Sequence, residues 1–144
     1  MLPENKCLDI VRKHKQKILE NVHRYLNFVG MNPPIQIWLF NSRVVGTCRE
    51  NSDIDVYVQV NEIHLEYIQK KGQTWAGELQ LSCGRDMKLM GLTLIDKCEW
   101  DGIPDWPIEL DVCFGIEDHP PVNMDKYGDF IAKGGRHSMK FEDL

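Results

Sequence analysis

Trp38-Leu39-Phe40-Asn41-Ser42-Arg43-Val44-Val45-Gly46-Thr47-Cys48-Arg49-Glu50-Asn51-Ser52-Asp53-Ile54-Asp55-Val56-Tyr57-Val58 is the stretch from which the rest of the chain is read. An apolar run ends at Ser42 beside Arg43, and a second apolar run opens on Asp53 and Asp55. Strand side chains alternate faces, so residues i and i+2 point the same way. Asp53 and Asp55 are therefore predicted to aim at one point, with Ile54 and Val56 turned to the core. Two like charges held that close repel each other unless a cation lies between them. Such a pair suits a divalent metal site.

A third acid lies downstream. Pro107-Ile108-Glu109-Leu110-Asp111-Val112-Cys113-Phe114 alternates, with Ile108, Leu110, Val112 and Phe114 apolar and Glu109 and Asp111 on the other face. Three carboxylates on neighbouring strands suit a hard, oxygen-seeking ion such as Mg²⁺, which keeps substrate phosphates among its ligands. Two such ions clamp the attacking and leaving oxygens of a phosphoryl-type displacement. Glu109 is read as solvent-facing, with an auxiliary ligand role as the alternative.

Outward from this segment, Leu8, Val11, Ile18, Val22, Tyr25, Leu26 and Val29 recur at helical spacing, and Gly30 stops the pattern. The same stretch carries Arg12, Lys13, His14, Lys15 and Lys17, read as a solvated face or as a contact surface for an acidic partner or an RNA. Asn32-Pro33-Pro34 breaks the chain before a strand over Ile35–Phe40, and a second strand covers Asp53–Val60. Asn61 is predicted to cap a short helix reaching Lys71, with Ile63, Tyr67 and Ile68 inward. Leu79 and Leu81 alternate, Met87–Ile95 reads as a third strand antiparallel to that of Asp111, and Met124–Lys133 as a last helix. The predicted fold is α/β (α+β): a short mixed sheet of about four strands backed by helices, in a single domain over residues 1–144 with residues 136–144 a mobile tail.

Composition narrows the function. With 17 basic and 22 acidic residues the formal net charge is −5, which argues against a dedicated nucleic-acid binder but not against a nucleotide substrate. Cys7, Cys48, Cys83, Cys98 and Cys113 show no zinc-type spacing and are read as buried or half-buried thiols. Neither a signal-peptide pattern nor a run of membrane-spanning length is apparent, so a reduced, cytoplasmic setting is the expectation.

Leu39-Phe40-Asn41-Ser42-Arg43, the following Gly46, and Ser52-Asp53-Ile54-Asp55 together resemble the signature of the DNA polymerase β-like nucleotidyltransferase superfamily. The likeness is to its minimal nucleotidyltransferase type, whose pattern is Gly-Ser-Arg, a Gly, then Ser-Asp-x-Asp. It implies a metal-dependent transferase with Mg²⁺ or Mn²⁺ at Asp53, Asp55 and Asp111, the last helping to activate the attacking hydroxyl. Ser42 matches the residue that contacts the triphosphate, at the start of a short helix. Asn41 stands where the family has Gly, Arg43 is read as a phosphate contact or a surface arginine, and Ser52 as a turn residue or a substrate contact. The resemblance further implies an NTP substrate, ATP being the expected one, and a hydroxyl acceptor on a protein, RNA or small molecule. One such acceptor is a HEPN-type toxin, to which the chain would be the antitoxin. Because Asn41 crowds the phosphate path, a degenerate domain kept as a binding module for a protein partner is the alternative.

Overall fold

A computed structural model describes residues 6–28, 34–66, 79–81, 92–95 and 110–144. The N-terminal helical pattern forms two helices, α1 (Asp9–Lys13) and α2 (Lys15–Phe28), separated at His14. His14 has φ −110° and ψ 16°, outside the helical basin, so the continuous helix expected from Leu8 is interrupted there. Hydrogen bonds survive on both sides, from His14 N–H to Ile10 O (3.1 Å) and from Ile18 N–H to His14 O (3.0 Å). Val11, Ile18 and Val22 consequently stay on one stripe and are buried, while Arg12 and Lys13 are exposed. Val29 lies outside the described residues.

The strands are β1 (Gln36–Phe40), β2 (Ile54–Gln59), β3 (Leu79–Leu81), β4 (Leu92–Ile95), β5 (Leu110–Gly115) and β6 (Ser138–Lys140). They form one sheet in the order β3-β4-β5-β2-β1-β6. The sheet is mixed: β2 and β5 run parallel, while β1 with β2, β1 with β6, β3 with β4 and β4 with β5 are antiparallel. The α+β class and mixed sheet match the expectation. Four central strands are extended at each edge by a strand of three residues, β3 and β6.

Alternation sorts the side chains. Ile37, Leu39, Ile54, Val56, Val58 and Phe114 pack with Val11, Ile18 and Val22 in the main core. The opposite face carries a smaller cluster of Phe40, Tyr57 and Cys113, with Trp38 against it. Tyr57 Oη donates to Glu117 O (2.9 Å), and a Cβ at Gly115 would lie 2.5 Å from the Tyr57 Oη, so only glycine lets β5 pass so close. A four-residue helix, α3 (Ser42–Val45), joins β1 to β2. Residues 62–66 form a described turn of helix, α4, capped where His64 N–H donates to Asn61 Oδ1 (2.7 Å). On α4 the buried residue is Leu65, whereas Ile63 is 77% exposed, a correction to its expected inward position. Tyr67 and Ile68 fall outside the described residues. Among the described residues no helix is long and apolar enough to cross a membrane.

The C-terminal segment also departs from expectation. After α5 (Met124–Ala132), capped where Lys126 N–H donates to Asn123 Oδ1 (3.2 Å), the chain forms β6 in place of a mobile tail. Trp38, Leu39 and Phe40 pair with Lys140, Met139 and Ser138, and a 3₁₀ turn over Phe141–Asp143 follows. Phe141 is 2% exposed and belongs to the main core, so burial of an aromatic ring anchors the segment. Phe141→Ala is expected to cost about 3 kcal/mol in urea unfolding. A loss below roughly 0.5 kcal/mol, the range of surface substitutions, would show that the segment does not contribute.

Candidate functional site

The site lies where β1 ends, α3 turns the chain, and β2 begins beside it. Phe40 pairs with Asp55, so the end of one strand faces the start of the next. Between them Asn41 has φ 65° and ψ −145°, a region that only glycine occupies without strain. Asn41 is the one non-glycine residue with positive φ among the described residues. The surrounding bonds enforce this turn. Asn41 N–H donates to His137 O (3.0 Å), while Asn41 O accepts from the amides of Val44 and Val45 (both 2.9 Å). Gly46, at φ 91°, closes α3 by donating to Ser42 O (3.0 Å). The Asn41 side chain does not point away from the acids: its Nδ2 donates to Asp55 Oδ2 at 3.4 Å.

Arg43 overturns the surface reading. It is 1% exposed, among the largest fully buried side chains described. Nη1 donates to Cys7 O (3.4 Å) and Cys48 Sγ (3.6 Å), and Nη2 to Glu50 O (3.2 Å) and Ser52 O (2.7 Å). Both terminal nitrogens thus spend their hydrogens on protein acceptors, and Nε is buried without one. This geometry makes Arg43 an internal support in place of a phosphate contact. Burial lowers its pKa from the ordinary value, and the charges of Asp53 and then Asp55 work in the opposite direction. A cation therefore already acts on the aspartate pair from within the fold, and it offsets part of their mutual repulsion.

Cys7 and Cys48 are bonded to each other, correcting the reading of both as thiols. Their Cα atoms are 5.8 Å apart across a sequence separation of 41, and both residues are fully buried. Cys113 is a buried free cysteine, and Cys83 and Cys98 lie outside the described residues. Ser52 bonds its own turn, its Oγ accepting from Arg49 N–H (2.7 Å) and its N–H donating to Arg49 O (3.1 Å).

The acids themselves are half-buried at positions 53 and 55, with Ile54 and Val56 fully buried between and beyond them. Asp55 is the register partner of Asp111 in the parallel β2–β5 pair. Register partners of neighbouring strands belong to the same face of a sheet, here the face of Tyr57 and Cys113. Among the described residues no group of three His, Cys, Asp or Glu side chains is placed to hold a metal ion. Glu109 is outside the described residues. Trp38 is on the acid face, where its indole N–H is buried without an acceptor and the Lys140 ammonium lies 5.7 Å from its ring centre. Alternation from Phe40 places Trp38 there, so that neighbour was recoverable from sequence.

Comparison with protein-family models, curated proteins and solved structures finds no match for this chain. Asn41→Gly is expected to stabilise the protein by about 1 kcal/mol, as relief of backbone strain exceeds the entropy that glycine loses. Asn41→Ala keeps the strain, loses the Asp55 contact, and should destabilise by about 1 kcal/mol. Denaturant titration of both variants checks the pair; equal stability of the two would show that the turn carries no strain.

Proposed function

We propose that the chain is a metal-dependent nucleotidyltransferase that moves a nucleoside monophosphate, AMP from ATP, to a hydroxyl acceptor, with pyrophosphate leaving. The observation that carries the reading is the β2–β5 register, which sets Asp111 beside Asp55 on the strand that Asp53 leads into. The donor chemistry fits Mg²⁺ or Mn²⁺: the half-buried carboxylates of Asp53 and Asp55 are hard oxygen ligands, and such an ion keeps phosphate oxygens among its ligands. Such an ion, when bound, neutralises charge on the phosphates.

The chain's own residues supply the rest. Asp53 and Asp55 would hold the ion, and Asp111 would accept the proton of the acceptor hydroxyl. Asn41 donates to Asp55 through its amide (3.4 Å), and the Ser42 hydroxyl would contact the triphosphate at the same turn. Since α3 spans only four residues, its dipole adds little, and the hydroxyl and the turn amides matter more. Catalysis then comes from in-line positioning and charge neutralisation. A cytoplasmic location, where ATP and Mg²⁺ meet, belongs to this reading. So does an acceptor from another molecule: a protein such as a HEPN-type toxin, or an RNA reached through exposed Arg12 and Lys13.

One observation favours a second reading, a non-catalytic module that binds a protein partner. The Asn41 amide rests on an Asp55 oxygen that a metal would use. Incubation with each α-labelled NTP and Mg²⁺ or Mn²⁺, alone and with cell extract, separates the two. Transfer of label to a discrete acceptor is expected, reduced by about 10²-fold or more in Asp53→Asn and in Asp55→Asn. Label that persists in both variants would show that another group does the chemistry. Absence of any transfer, with an unchanged partner in pull-downs from wild type and both variants, favours the binding module.

A further inference from the structure

We propose that Arg43 and the Cys7–Cys48 disulfide form a redox-sensitive brace that positions Asp53 and Asp55 for a divalent cation. The proposal rests on the metal-dependent reading above and adds a control to it. Cys7 lies in the turn before α1, and Cys48 in the connector between α3 and β2, so the bridge ties the start of the described chain to the site. One guanidinium then spans the whole arrangement. It reaches the carbonyl of Cys7 and the sulfur of Cys48 with one nitrogen, and the carbonyls of Glu50 and Ser52 with the other. Ser52 immediately precedes Asp53, so the shortest of these bonds, 2.7 Å, sets the peptide from which the first acid projects.

The connector's own bonds include those between Arg49 and Ser52 and one from Thr47 N–H to Ser42 O (3.1 Å), and Arg49, Glu50 and Asn51 are exposed. A segment with few buried apolar contacts and an exposed backbone opens locally at low free energy. The buried guanidinium and the buried bridge are what oppose that opening. Reduction by a dithiol would break the S–S bond. Each sulfur would gain one electron and one proton, giving Cys7 and Cys48 thiols, while the two reductant thiols close into their own disulfide. The turn at Cys7 would then keep its Arg43 contact without the covalent tie, and lifting it would remove one of the guanidinium's four acceptors, the Cys7 carbonyl. The anchor on Ser52 would loosen with it, and the carboxylates would lose their fixed separation.

The test uses the intact protein, oxidised and after dithiol treatment, with thiol formation confirmed by the mass gained on alkylation. Mn²⁺ affinity is measured by titration calorimetry, and amide exchange is followed in peptides covering residues 47–53. Reduction is expected to weaken Mn²⁺ binding about tenfold, the size of effect seen when a support behind a metal ligand is lost. Exchange over 47–53 should rise while exchange in β1 and β2 stays unchanged. The Cys7→Ser/Cys48→Ser variant should reproduce both changes. Arg43→Lys, with the bridge intact, should also weaken Mn²⁺, because an ammonium keeps the charge but not the fork. Equal Mn²⁺ affinity and equal exchange in oxidised and reduced protein overturn the brace alone. Failure of Mn²⁺ to bind in either form overturns the metal reading and the proposal with it.

Discussion

The burial of one guanidinium constrains the site more than any other interaction. A charged side chain withdrawn from water costs heavily unless most of its donors meet acceptors of fixed geometry, as both terminal nitrogens of Arg43 do and its Nε does not. The Arg43 acceptors come from Cys7, Cys48, Glu50 and Ser52, so residues far apart in sequence must converge on one point. That convergence fixes the connector, and the connector delivers Asp53 and Asp55 to the mouth of the sheet. A planar, five-donor group performs this role where a lysine would not, because the directions of its N–H bonds select the carbonyls it meets.

Arg43 also changes the electrostatic argument for a metal. Paired carboxylates on one face of a strand repel each other, and from sequence alone a bound cation was the natural remedy. The structure supplies a cation of its own, since the charge on Arg43 interacts favourably with Asp53 and Asp55. Two acids at i and i+2 therefore do not require a metal for the fold to stand. What they do not explain is a further acid beside them. Asp111 is the register partner of Asp55 through the parallel pairing of β2 with β5, a pairing that the repulsion within the first pair does not account for.

The sequence revealed those features whose physics is local. Period-two alternation marked β1, β2 and β5, because each buries Ile, Leu, Val or Phe on one face and turns different residues to the other. Asn61 announced a helix start through a cap that depends on the next three residues only. Long-range features stayed hidden. The Cys7–Cys48 bond joins residues 41 apart, and spacing arithmetic finds metal-like clusters, not distant pairs. Arginine is exposed by default, so its burial at position 43 depends on acceptors that the fold assembles. The C-terminal strand was missed because Ser138-Met139-Lys140 is too short to show a period, and its pairing with β1 alone defines it. On α4 the misplacement of Ile63 relative to Leu65 came from phase: one helical turn does not show which stripe meets the core.

Asn41 brings these threads to one residue. Its backbone is set by the end of β1 on one side and the start of α3 on the other, so the φ and ψ follow from the architecture and not from asparagine's preference. Glycine would relieve the turn but would leave Asp55 without the amide. The contact is long, 3.4 Å, at the weak end of hydrogen-bond geometry. A hydrogen bond to a charged group contributes about 1.5–3 kcal/mol at good geometry, so this one contributes less. A divalent ion shared among carboxylates would gain more than that. The Asn41 amide therefore weighs only lightly against an ion at Asp55, and the larger obstruction from this side chain would be steric, against a phosphate. The choice between an enzyme and a binding module would then turn more on the volume of one side chain at a glycine-shaped turn than on its contact with the acid.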